Sequence, residues 1–174
     1  TSLFQTFAGC SNLRNINGLP NTVTQLDWTF YECSQLTNIN GLPDSIKTLE
    51  FAFMYCNGLV NLSNNIIPPN AIGLRQTFYG CSELVTAPVI PNNVTYMQYA
   101  FGECGKLTGN IYIHSDKITM ANGCFNNTSL IKNVYIPYTY ENSEYTKTYN
   151  SFTSYGYDEN GTIDGVYLKD INTI

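Results

Sequence analysis

The sequence predicts a mainly β solenoid of about six coils, each of 23–25 residues. The first observation is a repeated skeleton, Phe-x-x-Cys-x-x-Leu-x-x-Ile, which is clearest in the segment LDWTFYECSQLTNINGLP at 26–43. The second is its constant spacing, with intervals of 23, 23, 25, 23 and 24 residues between successive phenylalanines. The third is a proline that follows most copies. The repeat phenylalanines are Phe7, Phe30, Phe53, Phe78, Phe101 and, in a degraded copy, Phe125.

Residues at the same offset from the repeat phenylalanine form columns, and the invariant columns predict the core. The position four residues before it holds Leu3, Leu26, Leu49, Leu74 and Met97. The position six residues after it holds Leu13, Leu36, Leu59, Leu84, Leu107 and Ile131. The position nine residues after it is aliphatic except at Asn110. Because one coil cannot bury such a set alone, we expect neighbouring coils to stack these side chains into ladders.

Turn residues place the secondary structure within each coil. Short strands are expected near 13–19 and 36–42, since Pro20 and Pro43 end ladder pairing after them. A second short strand is expected at Val23–Trp28 and its equivalents. The three-residue spacing of Phe-x-x-Cys-x-x-Leu between the two predicts one turn of helix or 3₁₀ helix.

The repeat pattern also predicts the domain organisation. Residues 1–137 form the solenoid, and 138–174 form a divergent C-terminal coil or cap that continues it, with a weak copy at Phe152 and a strand at 166–168. The third coil has an insertion at Asn64–Pro69. Because the chain opens within a repeat and stops without a capping pattern, we interpret it as a fragment of a longer protein.

Composition and charge disfavour several kinds of partner. The net charge is −5, and the eight basic residues are scattered, so a nucleic-acid partner is not expected. No apolar run approaches the ~20 residues of a membrane span, so no membrane insertion is expected.

The six cysteines predict packing rather than metal or redox chemistry. Five of them, Cys10, Cys33, Cys56, Cys81 and Cys104, occupy one column, and stacked coils would align their side chains in parallel. Parallel Cβ vectors are a poor geometry for a disulfide, so we expect free, buried thiols, with disulfides between adjacent coils as the alternative. Cys124 replaces a small residue before Phe125. One histidine and a one-sided thiol row predict no metal or cofactor.

The copies of Phe-x-x-Cys-Ser-x-Leu-x-x-Ile followed by proline resemble the BspA-like bacterial leucine-rich repeat. The resemblance runs from Leu3 to about Pro137 and departs from the consensus at Asn110, at His114 and in the tail. It implies a right-handed leucine-rich-repeat superhelix, an extracellular or bacterial cell-surface location, and a role in adhesion or interaction without catalysis. It transfers no binding residue, because the shared positions are core positions.

No converging set of catalytic groups is visible in the sequence, so we expect no enzyme. His114 replaces a turn proline and is expected at the surface. Asp27 and Glu50 share one variable column and are interpreted as a solvated face, and Glu32 and Glu103 share another that is also expected to be exposed. The acidic segment Asp158–Gly165 lacks the spacing of a calcium-binding EF-hand loop and is interpreted as two turns.

Aromatic residues in variable columns give the candidate binding surface. They lie two residues before and one or two residues after the repeat phenylalanine: Trp28, Phe51, Tyr99, Tyr31, Tyr55 and Tyr79. One hypothesis is an adhesion or recognition module that binds a protein or glycan on a host or neighbouring cell through this surface. The alternative for the rings is that they lie flat on neighbouring coils. The alternative for the chain is a rigid spacer that presents a neighbouring domain.

Overall fold

The computed structural model describes residues 1–63, 65–137, 162–163 and 166–173. The coils stack in parallel, so that the residue five positions before each repeat phenylalanine pairs with its equivalent in the next coil. These bridges form one continuous series: Ser2, Gln25, Thr48, Gly73, Tyr96 and Met120. The repeat solenoid predicted from the spacing is therefore present. We number the coils 1 to 6 after Phe7, Phe30, Phe53, Phe78, Phe101 and Phe125.

Short strands form the second ladder of the stack. β1 (Asn15–Asn17) pairs in parallel with β2 (Asn38–Asn40), each inside the segment predicted before its proline. A four-stranded sheet has the order β3-β4-β6-β5, built from β3 (Thr108–Tyr112), β4 (Leu130–Ile136), β5 (Thr162–Ile163) and β6 (Val166–Asp170). β3, β4 and β6 are parallel, and β5 is antiparallel to β6. A 3₁₀ helix, Ile171–Thr173, follows β6.

The polar exception in the core columns is explained by a register shift. A bulge between Gly109 and Asn110 pairs Val134 with Ile111 instead of with Asn110. Ile111 is consequently buried, and Asn110 is exposed and accepts a 2.9 Å hydrogen bond from Asn133. The core column therefore continues through the fifth coil one residue later than the spacing predicts.

The prediction of a helical or 3₁₀ turn after each repeat phenylalanine was wrong, and so was the second strand. In coil 2, every second N–H donates to the next coil, as in Trp28 to Glu50 at 2.9 Å and Phe30 to Ala52 at 3.0 Å. The intervening N–H groups donate to the carbonyl three residues earlier, as in Cys33 to Phe30 at 3.1 Å. A 3₁₀ helix needs consecutive bonds of the second kind. The result is a row of turns, in which the second strand is reduced to one bridging residue, Gln25, paired with Ser2 and Thr48.

The core is a stack of repeat phenylalanines along the solenoid. Successive rings have centroids 5.5–6.2 Å apart and are within 4–11° of parallel. Phe30, Phe53, Phe78, Phe101 and Phe125 are fully buried, whereas Phe7 is 36% exposed because no coil among the described residues covers its outer face. The insertion in coil 3 adds to this core, since Ile66 and Ile67 are buried.

The cysteines are free, as expected, and five of the six are buried. Cys33, Cys56, Cys81 and Cys104 each donate an Sγ–H hydrogen bond of 3.1–3.2 Å to the carbonyl of the repeat phenylalanine one coil earlier. Burial raises the pKa of Cys33 to about 11 and of Cys104 to about 12. Cys10 is exposed, contrary to the expectation, because it belongs to the end coil.

The C-terminal strand β6 pairs with β4 in the same parallel sense as the coils, and it includes the strand predicted at 166–168. The weak copy at Phe152 and the segment Asp158–Gly161 lie outside the described residues. The division between 137 and 138 stays a prediction.

Candidate functional site

The aromatic side chains singled out in the sequence meet in one continuous chain of ring contacts. Phe51 stacks on Trp28 with centroids 4.2 Å apart, and Trp28 contacts Tyr31 at 5.1 Å. From Tyr31 the contacts continue to Tyr55 at 6.1 Å, to Tyr79 at 5.8 Å and to Tyr99 at 6.5 Å. We call these six residues the aromatic strip. The strip crosses coils 2 to 5, and it joins the separate columns from which its members were selected.

Left-handed backbone conformations place strip residues outside the core. In an extended segment Leu26, Trp28 and Phe30 would share a face, because side chains alternate with a period of two. Leu26 and Phe30 are buried, but Trp28 has φ +60° and is only half-buried. Phe51 and Tyr99 repeat this conformation with φ +58° and +53°. The positive φ breaks the alternation and brings the ring to the surface.

Three tyrosines of the strip lie against a glycine in the next coil. Tyr55 lies on Gly80 and Tyr99 on Gly123, and a Cβ at either glycine would overlap the ring. Tyr79 lies on Gly102, where a Cβ would come within 2.9 Å of its Cδ2 atom. The rings therefore pack on neighbouring coils, as the alternative for these residues proposed. They also stay accessible, with Tyr55 36% and Tyr99 37% exposed.

The interpretation of Asp27 and Glu50 as a solvated face was wrong, because both are half-buried and hydrogen-bonded between coils. Asp27 accepts from the Glu50 amide at 2.9 Å and from the Thr48 hydroxyl at 3.1 Å. Glu50 accepts from the Tyr96 hydroxyl at 2.8 Å. Burial, followed by this bond to Glu50, raises the pKa of Tyr96 to about 12. These carboxylates hold coils together.

Charged groups lie beside several rings of the aromatic strip. The Arg75 guanidinium carbon lies 5.5 Å from the centroid of Phe51, which is a cation–π contact. Glu32, next to Tyr31, is exposed as expected. Glu103 is half-buried, not exposed, because it accepts a 2.6 Å hydrogen bond from Asn127 in the next coil.

The proline-rich edge of the stack carries a groove. His114 is exposed there, as predicted, beside a groove of about 390 Å³ that it lines with Asn92, Asp116 and Lys117. In the part of the chain that the structure describes, no three His, Cys, Asp or Glu side chains converge as metal ligands. No helix among those residues is long and apolar enough to cross a membrane.

Comparisons with known proteins agree with the repeat geometry. A leucine-rich repeat protein from Bacteroides ovatus ATCC 8483, known from a crystal structure, is similar with a TM-score of 0.51 and 22% identity. The alignment covers 75% of this chain and 39% of that protein, so the likeness concerns the fold. No curated protein matches the sequence. The family model for the BspA type leucine rich repeat region, in six copies, matches residues 4–74 and 52–155. This chain therefore belongs to the BspA-type leucine-rich repeat family.

Proposed function

We propose that this chain is a non-catalytic adhesion or recognition module of an extracellular or cell-surface bacterial protein, and that it binds a protein or glycan through the aromatic strip. The observation that carries the proposal is the continuity of the strip: six half-exposed rings from four coils form one contact chain. Aromatic side chains supply much of the binding free energy at recognition surfaces, because they bury a large area with few rotatable bonds.

The scaffold beneath the strip supports this role. Residues of the strip donate backbone hydrogen bonds to the next coil, as Phe51 does to Arg75 and Tyr55 to Tyr79, at 2.9 and 2.8 Å. The parallel stack of buried phenylalanines lies directly inside these turns. A surface held in this way loses little conformational entropy when a partner binds, which favours affinity.

The rigid spacer is the second candidate, and the tyrosine–glycine contacts favour it. If the rings serve only to cover glycine backbone, as Tyr79 covers Gly102, the aromatic strip is packing and needs no ligand. The spacer then predicts that no partner binds this face, and that function lies in a neighbouring domain.

The two candidates are separated by probing a glycan and extracellular-matrix protein array with the purified protein. Wild type is compared with Trp28→Ala/Tyr99→Ala, which removes two strip rings. The matched control is Val60→Ala/Leu130→Ala, which truncates exposed apolar side chains elsewhere, 43% and 52% exposed. Circular dichroism is used to check that each variant is folded.

We expect a defined partner whose binding falls about tenfold or more in the strip variant and stays near wild type in the control. Binding that is equal in all three proteins would show that the aromatic strip is not the contact surface. The absence of any partner on the array would favour the spacer.

A further inference from the structure

Acidic side chains interrupt the aromatic strip at two places in a single column. The column two residues after the repeat phenylalanine reads, from coil 1 to coil 6, Gly9, Glu32, Tyr55, Gly80, Glu103 and Asn127. Glu32 and Glu103 thus lie one coil before and two coils after Tyr55. Four members of this column have φ between +57° and +69° in coils 2 to 5, so they share one backbone geometry at the surface.

The tyrosines beside these carboxylates are steeply inclined to each other. The rings of Tyr31 and Tyr55 meet at 66°, those of Tyr55 and Tyr79 at 79°, and those of Tyr79 and Tyr99 at 75°. Inclined rings make corners in which the negatively polarised face of one ring adjoins the edge of the next. A cation placed in such a corner, with a carboxylate nearby, gains both a cation–π and a Coulomb attraction.

The strip already holds one cation of its own chain. Arg75 lies over Phe51 at 5.5 Å and therefore occupies a ring face at the Trp28 end of the strip. Towards the other end, burial and then the charge of Glu103 raise the pKa of the Tyr79 hydroxyl, which indicates that the negative potential reaches that ring. The net charge of the chain, −5, is also negative.

We propose that the aromatic strip binds an extended peptide segment that carries two basic side chains at positions i and i+4. One side chain would lie by Tyr31, Tyr55 and Glu32, and the other by Tyr79, Tyr99 and Glu103. This inference rests on the proposed recognition function and adds the chemistry of the partner, a basic polypeptide.

The coil spacing sets the separation of the two basic groups. Glu32 and Glu103 are three coils apart, and stacked backbones at about 4.8 Å per coil separate them by about 14 Å. An extended peptide advances about 3.3 Å per residue, so that side chains at i and i+4 are about 13 Å apart on the same face. An uncharged sugar can donate hydroxyl hydrogen bonds to the two carboxylates but gains no attraction between opposite charges, whereas a basic side chain gains both.

The test uses fluorescence anisotropy with a labelled twelve-residue Gly/Ser peptide that carries arginine at positions 4 and 8. A second peptide has the two arginines adjacent, at positions 4 and 5, and a third has glutamate in place of both. The protein variants are Glu32→Gln/Glu103→Gln and the charge-matched control Asp44→Asn/Asp116→Asn. Asp44 and Asp116 line grooves of the proline-rich edge and are not part of the aromatic strip. Each double variant removes two negative charges, so the two differ only in where the charges are lost.

We expect saturable binding of the first peptide that weakens about five- to tenfold in Glu32→Gln/Glu103→Gln and less than twofold in the control, and that declines with added salt. We also expect the adjacent-arginine peptide to bind more weakly and the glutamate peptide not to bind. Equal weakening in both double variants, or equal binding of the two arginine peptides, would overturn the inference. So would the absence of saturable binding at millimolar peptide. If the array still shows strip-dependent binding of another partner, the recognition function stands and only the basic peptide is wrong.

Discussion

The hydroxyl of Tyr96 donates a 2.8 Å hydrogen bond to Oε1 of Glu50, a residue two coils earlier. The ring reaches Glu50 by crossing Gly73 in the coil between them, and a Cβ at that position would overlap the ring. One side chain therefore ties three successive coils together, because it starts in coil 5, covers coil 4 and ends in coil 3. Most other contacts in the stack join only adjacent coils.

Replacing Tyr96 by phenylalanine removes this tie while keeping the ring over Gly73. We expect Tyr96→Phe to lower the free energy of unfolding by about 1 kcal/mol, since Glu50 would lose a donor in a half-buried site. Urea unfolding measures the change. Tyr99→Phe makes the same chemical deletion on a 37% exposed ring and serves as the control, with an expected change near zero. Equal unfolding midpoints for Tyr96→Phe and wild type would refute the role of the bond.

The hydrogen bond between Tyr96 and Glu50 should also make the free energy of unfolding depend on pH. The pKa of Tyr96 is raised to about 12 in the folded protein from an ordinary value of 10.0. Its contribution to stability is therefore fully present below pH 10 and is lost as the pH rises through about 12, because the unfolded tyrosine loses its proton first. The difference in unfolding free energy between wild type and Tyr96→Phe should be constant below pH 10 and should shrink above it.

Gly102 lets the Tyr79 ring of the aromatic strip lie against the next coil. We expect Gly102→Ala to displace that ring, because the new Cβ would come within 2.9 Å of Cδ2, and to lower stability by about 1 kcal/mol. Thermal unfolding measures this. Gly105→Ala, in the same coil, meets nothing within 4 Å and should be neutral or slightly stabilising. Equal stabilities for the two variants would contradict the packing described for Tyr79.

The loss of stability when a repeat phenylalanine is replaced by alanine should depend on its position in the stack. Phe78 is buried with a ring on each side, so we expect Phe78→Ala to cost about 3–5 kcal/mol. Phe7 is 36% exposed and contacts a ring on one side, so Phe7→Ala should cost less than half as much. Guanidinium unfolding of both variants makes the comparison. Similar losses would indicate that the end of the stack is covered in solution.

Sequence reasoning reached the core because the core repeats. Coils 2 to 6 bury their phenylalanine, and the columns of Leu26 and Leu36 could be recognised from spacing alone. The left-handed turns were not predicted, because the left-handed conformation favours glycine and asparagine. Trp28 and Phe51 have positive φ although neither residue type indicates it. A signal was present two residues after the phenylalanine, where Gly9, Gly80 and Asn127 occur.

The residues of the candidate site could be predicted from the sequence, but their arrangement in space could not. The six rings were identified from variable columns, yet their union into one strip depends on turn geometry. Each tyrosine contact does have a sequence signature: an aromatic residue is followed, one coil later in the same column, by glycine, as Tyr79 is by Gly102. The burial of Asp27 and Glu50 could not be deduced from their own column, because the side chains that bond to them, Thr48 and Tyr96, lie in another column and in other coils.

The burial of the cysteines gives a prediction that can be tested without a binding partner. At pH 8, one cysteine should react rapidly with a thiol reagent such as Ellman's reagent, because Cys10 is exposed and the other five are buried. The buried thiols should react only at the rate of unfolding. Cys10→Ser should abolish the fast phase. Two or more fast-reacting thiols in the wild type would contradict the burial of the row.

A partner that binds the aromatic strip should change the surroundings of Trp28, which is the single tryptophan of the chain and stacks on Phe51 at 4.2 Å. The measurement is the tryptophan fluorescence of wild-type protein titrated with a partner found on the array. We predict a saturable change in emission whose midpoint matches the binding affinity, and a weaker affinity for Trp28→Ala. A partner that binds with unchanged emission and binds Trp28→Ala equally well would show that the aromatic strip is not the contact surface.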